Sequence, residues 1–261
     1  MTSVSIQGTG IGFVVRGQAL LHDVDISVVA GRVTAIIGPN GAGKSTLLGV
    51  LAGDIEATTG SVRVDGDPLG SIAVAELARR RSVLLQQSGV AFSYTVREVV
   101  TMGRSIWRGS DDADLDEQII AESLDQTDTV HLADRDVTTL SGGEQARAAL
   151  SRVLAQRSPT VLLDEPTAAL DIAHQERVLE LAGSLARAGG AVAIVLHDLD
   201  AAATHADHVV ILVDGRVVAA GTPAEVMTSE ILSRVYSHPI DVLPHPKTGR
   251  PLVIPTRGRP V

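Results

Sequence analysis

The chain has 261 residues, 44% of them hydrophobic and 20% charged, with a formal net charge of −9. That length and balance suit one globular domain with an added lobe, and the acidic excess argues against a protein that coats nucleic acid. The absence of cysteine excludes disulfides and thiolate metal sites and fits a reducing compartment, while 2% aromatics leave an interior of Val, Leu, Ile and Ala.

In chain order, the N-terminus MTSVSIQGTGIGFVV has no basic segment followed by an apolar one, so no secretion signal is expected. No apolar run reaches the roughly 18 to 20 residues that span a bilayer. The opening Val4–Val15 region and Gly60–Val64 read as an antiparallel patch. Val33–Ile37 is a short β-branched run that leads into a glycine-rich loop and then a helix over Lys44–Leu51. Ser82–Leu85 reads as another strand. From about Val90 to Pro159 strand signals stop, and Thr95–Gly103, Leu115–Asp125 and Gly142–Gln156 show helical spacing, a helical lobe inserted into the core. The strand–helix alternation resumes with Thr160–Leu163, Ile172–Ala188, Ala191–Leu196 and Leu199–Ala206. His208–Val213 and Arg216–Ala220 flank Asp214-Gly215, a strong hairpin signal. Thr222-Pro-Ala-Glu225 is a capping box that starts a late helix, and the proline-dense end is expected to be irregular.

Near-continuous apolar strands alternating with helices predict an α/β fold. Its mostly parallel sheet is flanked by helices, with an N-terminal antiparallel β patch and an inserted helical subdomain. Its organisation is expected to be a single domain over 1–240, with an α/β core at about 1–89 and 159–228 and a helical subdomain at about 90–158. A C-terminal helix and proline-rich tail follow over 229–261.

Four stretches carry chemistry. GPNGAGKST, made of Gly38, Pro39, Asn40, Gly41, Ala42, Gly43, Lys44, Ser45 and Thr46, fits the phosphate-binding loop and lies between a buried strand and a helix. Its backbone N–H groups can close around a β-phosphate, Lys44 can reach the β- and γ-phosphates, and the Ser45 hydroxyl can bind Mg²⁺. TVLLDEPT ends a strand on Asp164, a second oxygen for Mg²⁺, with Glu165 placed to orient or deprotonate a water. His197 follows the strand Ala191–Leu196 and emerges at the same sheet edge, a candidate γ-phosphate contact. Gln86 ends the strand Ser82–Leu85, where its amide can reach Mg²⁺ or the attacking water. In LSGGEQ, Ser141, Gly142 and Gly143 open a second helix, well suited to an anion yet without a nucleophile.

Taken together these residues resemble the ATP-binding subunits of ABC transporters over essentially the whole chain, every motif in order. The resemblance makes Gly38–Thr46 the Walker A loop, Gln86 the Q-loop and Leu140–Gln145 the signature. It makes Val161–Asp164 the Walker B strand with Glu165 the catalytic glutamate, Ala169-Leu170-Asp171 the D-loop and His197 the switch histidine. It implies ATP and Mg²⁺ as cofactors, with Glu165, His197 and Gln86 catalytic and Ser45, Gln86 and Asp164 at the metal. It also implies a head-to-tail homodimer in which Ser141, Gly142, Gly143 and Asp171 serve, in trans, the nucleotide on the partner copy. The adenine-stacking aromatic of the family aligns at Val15, and Phe13 is the nearest aromatic.

AFSYTVREVVTMGR, LLDEPTAALDIAHQERVLELA and the ending VYSHPIDVLPHPKTGRPLVIP look like importers for iron chelates, haem and cobalamin, most closely the haem branch. That likeness implies two transmembrane permease subunits and, indirectly, a haem-binding periplasmic or lipoprotein receptor. The subunit is expected to be peripheral, at the cytoplasmic face of the cell membrane, with no nucleic-acid partner. Siderophore or cobalamin import is the alternative cargo, and a soluble non-transport ABC ATPase the alternative class. Ala91, Phe92, Tyr94 and Val96 are open to a permease-facing or a lobe-packing role, as is Trp107. His205, His208, His238 and His245 read as surface or packing residues rather than haem ligands.

Overall fold

The computed structural model describes residues 3–85, 93–109 and 114–256. Strands β1 (Val4–Val15) and β2 (Gln18–Val29) pair antiparallel through Arg16 and Gly17, both at positive φ. Strand β3 (Arg32–Ile37) enters the main sheet, and α1 (Lys44–Ala52) follows the glycine loop. Strands β4 (Thr59–Val64) and β5 (Asp67–Pro68) complete an antiparallel sheet in the order β2-β1-β4-β5. Its edge strand β2 alternates apolar and polar residues over Val24-Asp25-Ile26-Ser27-Val28, with Val24, Ile26 and Val28 buried.

Helix α2 (Val74–Arg80) leads into β6 (Arg81–Leu84). Then come α3 (Val96–Met102), α4 (Asp116–Gln126) and α5 (Gly142–Ala155), which pack around a core of their own that includes Val96, Val100, Ile120, Leu124 and Ala148. Val96 is fully buried there, so it packs the lobe and faces no partner. Trp107 sits between the guanidinium groups of Arg79 and Arg104, 5.6 and 5.5 Å from its ring centre, and its indole N–H donates to the Gln156 carbonyl at 2.8 Å. It cements the lobe to the α/β core. Ala91 and Phe92 lie outside the described residues, and Tyr94 is exposed.

The chain returns through β7 (Thr160–Asp164), α6 (Ile172–Arg187), β8 (Ala191–Val195), α7 (Leu199–His205), β9 (His208–Val213) and β10 (Arg216–Gly221). The six-stranded sheet runs β10-β9-β3-β8-β7-β6, parallel from β9 to β6, with β10 antiparallel at the edge. Alternate residues feed two cores: Ile36, Leu162, Ala193 and Val210 pack under α1 and the N-terminal sheet, whereas Ala35, Leu163, Ile194 and Ile211 pack against α6 and α7. A strand buried on both faces needs an unbroken apolar run, and these strands have one.

Helix α8 (Pro223–Val226) starts at the anticipated capping box, the Glu225 carboxylate accepting from the Thr222 amide and hydroxyl, both at 2.8 Å. Helix α9 (Ser229–Tyr236) follows. The proline-dense end is not irregular over its described part: β11 (Ile240–Pro244) and β12 (Pro251–Pro255) form a hairpin. Pro244 faces Pro251 and Ile240 faces Pro255, so the prolines cap strand ends of an isolated ribbon, where a missing N–H costs little of the ladder. Ile240 and Val253 are buried against the core, and the Val253 amide donates to Asp200 Oδ1 at 2.8 Å.

Candidate functional site

Because β3, β8, β7 and β6 are parallel neighbours, the residues that leave their C-terminal ends converge on one edge. Gly38 leaves β3, His197 follows β8 and Glu165 follows β7. Gln86 follows β6 and lies outside the described residues.

The loop between β3 and α1 is held in shape by its glycines. At Gly38 (φ +151°) a Cβ would lie 2.0 Å from the Leu212 carbonyl oxygen, and at Gly43 (φ +96°) 2.8 Å from that of Leu20. Any side chain would push the loop off both neighbours. Lys44 Nζ turns back to donate to the carbonyls of Gly38 and Pro39, each at 3.0 Å. Burial lowers its pKa, and the nearby Glu165 and Asp164 carboxylates oppose that shift. Residues 40–46, with Leu20, Glu165 and His197, line a cavity of about 480 Å³. Leu20, a wall of this cavity from β2, owes its place there to tertiary packing, which local spacing does not mark.

Ser45 Oγ donates to Asp164 Oδ1 at 3.1 Å. Burial raises the Asp164 pKa; the Ser45 hydrogen bond lowers it and the neighbouring Glu165 charge raises it further. A cation between these two oxygens would offset both burial and like-charge repulsion, and a hydroxyl beside a carboxylate is the hard donor pair that Mg²⁺ takes. The residues present fit that ion.

Glu165 adopts φ +49°, the left-handed region that a β-carbon disfavours by about 1–3 kcal/mol. The turn lifts its carboxylate off the line of β7, and Oε1 meets His197 Nε2 at 2.5 Å. Val15 is exposed beside the β1–β2 turn, while Phe13 packs into the core beneath the N-terminal sheet.

The signature residues are elsewhere. Ser141 caps α5, and Gly142 and Gly143 form its first turn. None of the three lines the phosphate-loop cavity. The Glu144 carboxylate accepts from both the amide and the hydroxyl of Ser141, each at 2.8 Å. Gly143 abuts the turn that ends in Asp171: a Cβ there would come within 3.0 Å of the Ala169 carbonyl oxygen. Asp171 caps α6, accepting from the His174 amide at 2.9 Å. Within one chain, then, Ser141, Gly142 and Gly143 stand apart from the phosphate-loop cavity. His205 pairs with Glu176 at 3.1 Å, burial lowers the pKa of His208, and the His245 ring accepts the turn amides of Lys247 and Thr248.

A family model described as ABC transporter matches residues 21–168, more than half of the chain. The chain belongs to the ABC transporter family. Like its relatives it binds nucleotide and hydrolyses ATP. The hemin import ATP-binding protein of Rhodococcus jostii is 52% identical over 257 residues, 98% of this chain and 88% of that protein. An inward-facing transporter described as of metal-chelate type has a subunit that superposes with a TM-score of 0.81 at 26% identity, covering 98% of each chain. A dimeric bacterial ABC cassette superposes with a TM-score of 0.76 at 26% identity, over 83% of this chain and 98% of that one.

Proposed function

We propose that this ABC transporter subunit drives the import of haem. Its 52% identity across nearly the full length of a hemin import ATP-binding protein carries the reading. The domain limits expected from sequence are retained in it, an ATPase domain over 1–240 and a C-terminal segment from 229. Two copies associate head to tail, so that Ser141, Gly142, Gly143 and Asp171 of one face the nucleotide held by Gly38–Thr46 of the other. The separation of these two groups within a chain supports that arrangement, as does the likeness to a dimeric cassette.

In the mechanism we infer, the loop amides and Lys44 hold the β- and γ-phosphates and neutralise charge as the γ-phosphoryl group departs. Ser45 and Asp164, with Gln86, would hold Mg²⁺, which when bound would screen the phosphate charge. Glu165 accepts the proton of the attacking water in line with the leaving group, and His197 steadies that carboxylate and touches the γ-phosphate. Closure of the dimer brings the Ser141 hydroxyl and the α5 N-terminus to the same phosphate, so ATP favours the closed dimer and product release opens it.

The permease pair docks against the helical subdomain, and the subunit works at the cytoplasmic face of the cell membrane, fed from outside by a haem-binding receptor. Among the described residues no helix is long and apolar enough to cross a membrane, so attachment rests on the permease. The test is reconstitution of the transporter with its receptor. Haem-loaded receptor is expected to stimulate ATP hydrolysis; stimulation by a siderophore-loaded or cobalamin-loaded receptor instead would replace haem as the cargo.

A further inference from the structure

The end of α4, in the helical subdomain, meets the start of α6, in the core, and polar side chains join them. Helix α4 closes in a left-handed turn: the Asp128 amide donates to the Asp125 carbonyl at 3.1 Å and the Thr129 amide to that of Leu124 at 2.8 Å. Asp128, at φ +56°, takes the place after the helix that glycine ordinarily fills. A carboxylate kept in that disfavoured conformation points to a use beyond the turn itself.

Two side chains of α6 reach this turn. Arg177 donates to the Asp125 and Gln126 carbonyls at 2.5 and 2.8 Å, a cation against the negative end of α4. His174 Nε2 faces Asp128 Oδ2 at 3.6 Å, and Nδ1 of the same ring meets Asp171 Oδ1 at 2.8 Å. A carboxylate only accepts, so Nδ1 must donate to hold Asp171, and a proton on Nε2 as well lets one ring hold both acids. The His174 amide and ring together keep the Asp171 carboxyl below its ordinary pKa. Thr127, Arg147, His174 and Arg177 close around a void of only about 10 Å³, so the seam is tightly packed. The neighbouring Gln175 amide donates to the Thr167 and Leu170 carbonyls at 3.2 and 2.9 Å. The turn from Glu165 to Asp171 is thus fastened to α6, and through His174 to the helical subdomain.

We propose that His174 is a positioning residue for ATP hydrolysis: by holding Asp171 and Asp128 at once, it fixes the turn that follows Glu165 to the end of α4. The turn offered to a partner copy then moves with the helical subdomain and not independently of it. The inference rests on the reading that Asp171 serves the nucleotide on the partner copy, and it names what holds that residue in place. His174 acts through Asp171 and touches no nucleotide. Without the bridge each chain would still bind ATP but would complete the shared site less often.

The experiment measures hydrolysis by the assembled transporter and ATP binding by the isolated full chain. Asp128→Asn removes the charge and suits a left-handed turn as well as Asp does; His174→Ala breaks the bridge from the other side. Each is expected to lower kcat roughly 3- to 10-fold with KM within about twofold of wild type. ATP affinity of the isolated chain should stay unchanged, as should the urea midpoint of Asp128→Asn. The double variant should be no slower than the slower single one, because both changes break one contact. Should His174→Ala fail to fold, Asp128→Asn decides. Unchanged kcat in these variants, even with a lower urea midpoint, would overturn the proposal, as would effects that multiply in the double variant. Asp171→Ala separates the two readings. If it alone slows hydrolysis, the bridge falls and the role of Asp171 toward the partner stands; if it hydrolyses ATP normally, that role falls and the bridge with it.

Discussion

His197 Nε2 lies 2.5 Å from Glu165 Oε1, although the two residues leave different strands and are 32 positions apart. The contact exists because β7 and β8 are adjacent and parallel in register, Asp164 opposite Val195, so that the next residues emerge side by side. The left-handed turn at Glu165 then swings its carboxylate toward the histidine.

If Glu165 is the general base, Glu165→Gln should lower the hydrolysis rate by about 10²–10⁴-fold while leaving ATP affinity near wild type. Single-turnover hydrolysis and nucleotide-binding measurements on the same preparation separate the two effects. The variant should also accumulate as an ATP-bound dimer on size exclusion. Normal hydrolysis by this variant would remove Glu165 from the role.

Asp164 gives a pH-dependent signature. Its pKa is raised from 3.8 by burial, so the folded nucleotide-free chain holds this proton more tightly than the unfolded one. Its contribution is therefore favourable at low pH and declines as pH rises from 3.8 through the raised value, with the full cost present above it. Asp164→Asn should remove that cost, raising the melting temperature of the metal-free chain near neutrality by a few degrees, about 2–4 °C per kcal/mol. It should also abolish Mg²⁺-dependent hydrolysis. Thermal melts with a chelator from acid to neutral pH check it: the gain should shrink as the medium becomes acidic.

Ser141→Arg should leave nucleotide binding by the isolated chain unchanged, because Ser141 does not line the phosphate-loop cavity. It should prevent ATP-dependent dimerisation and hydrolysis by blocking the partner's phosphate. Equilibrium binding and sedimentation in parallel provide the check; loss of binding by the monomer would place both loops on one nucleotide.

The C-terminal hairpin contributes to stability. Val253 is buried and its backbone is fastened to Asp200, so Val253→Ala should cost about 1–3 kcal/mol through lost packing. Asp200→Ala should cost about 1 kcal/mol through the lost acceptor. Urea unfolding of both variants measures the costs, and a shift in neither would mean that the hairpin is an appendage.

The parallel core was legible in the sequence because doubly buried strands such as Ala191–Val195 leave unbroken apolar runs. The phosphate loop was legible because its geometry tolerates few residues. The C-terminal hairpin was hidden by prolines that look prohibitive until they are seen at the strand ends. The cavity role of Leu20 and the seat of Trp107 beside Arg79 and Arg104 were invisible for another reason. They depend on which surfaces tertiary packing brings together, and nothing in their local spacing marks them.

One consequence concerns what the signature loop ignores. The Ser141 amide and hydroxyl are already taken by Glu144, three residues along the same chain. A tethered carboxylate has a high effective concentration, so stray phosphate or a free anion must displace a resident competitor to settle there. A phosphate delivered on a matching protein surface arrives with many other contacts formed at once and can win that exchange. In the proposed head-to-tail dimer, the cap would therefore act as a filter that answers to a nucleotide presented by another copy rather than to the ions around it.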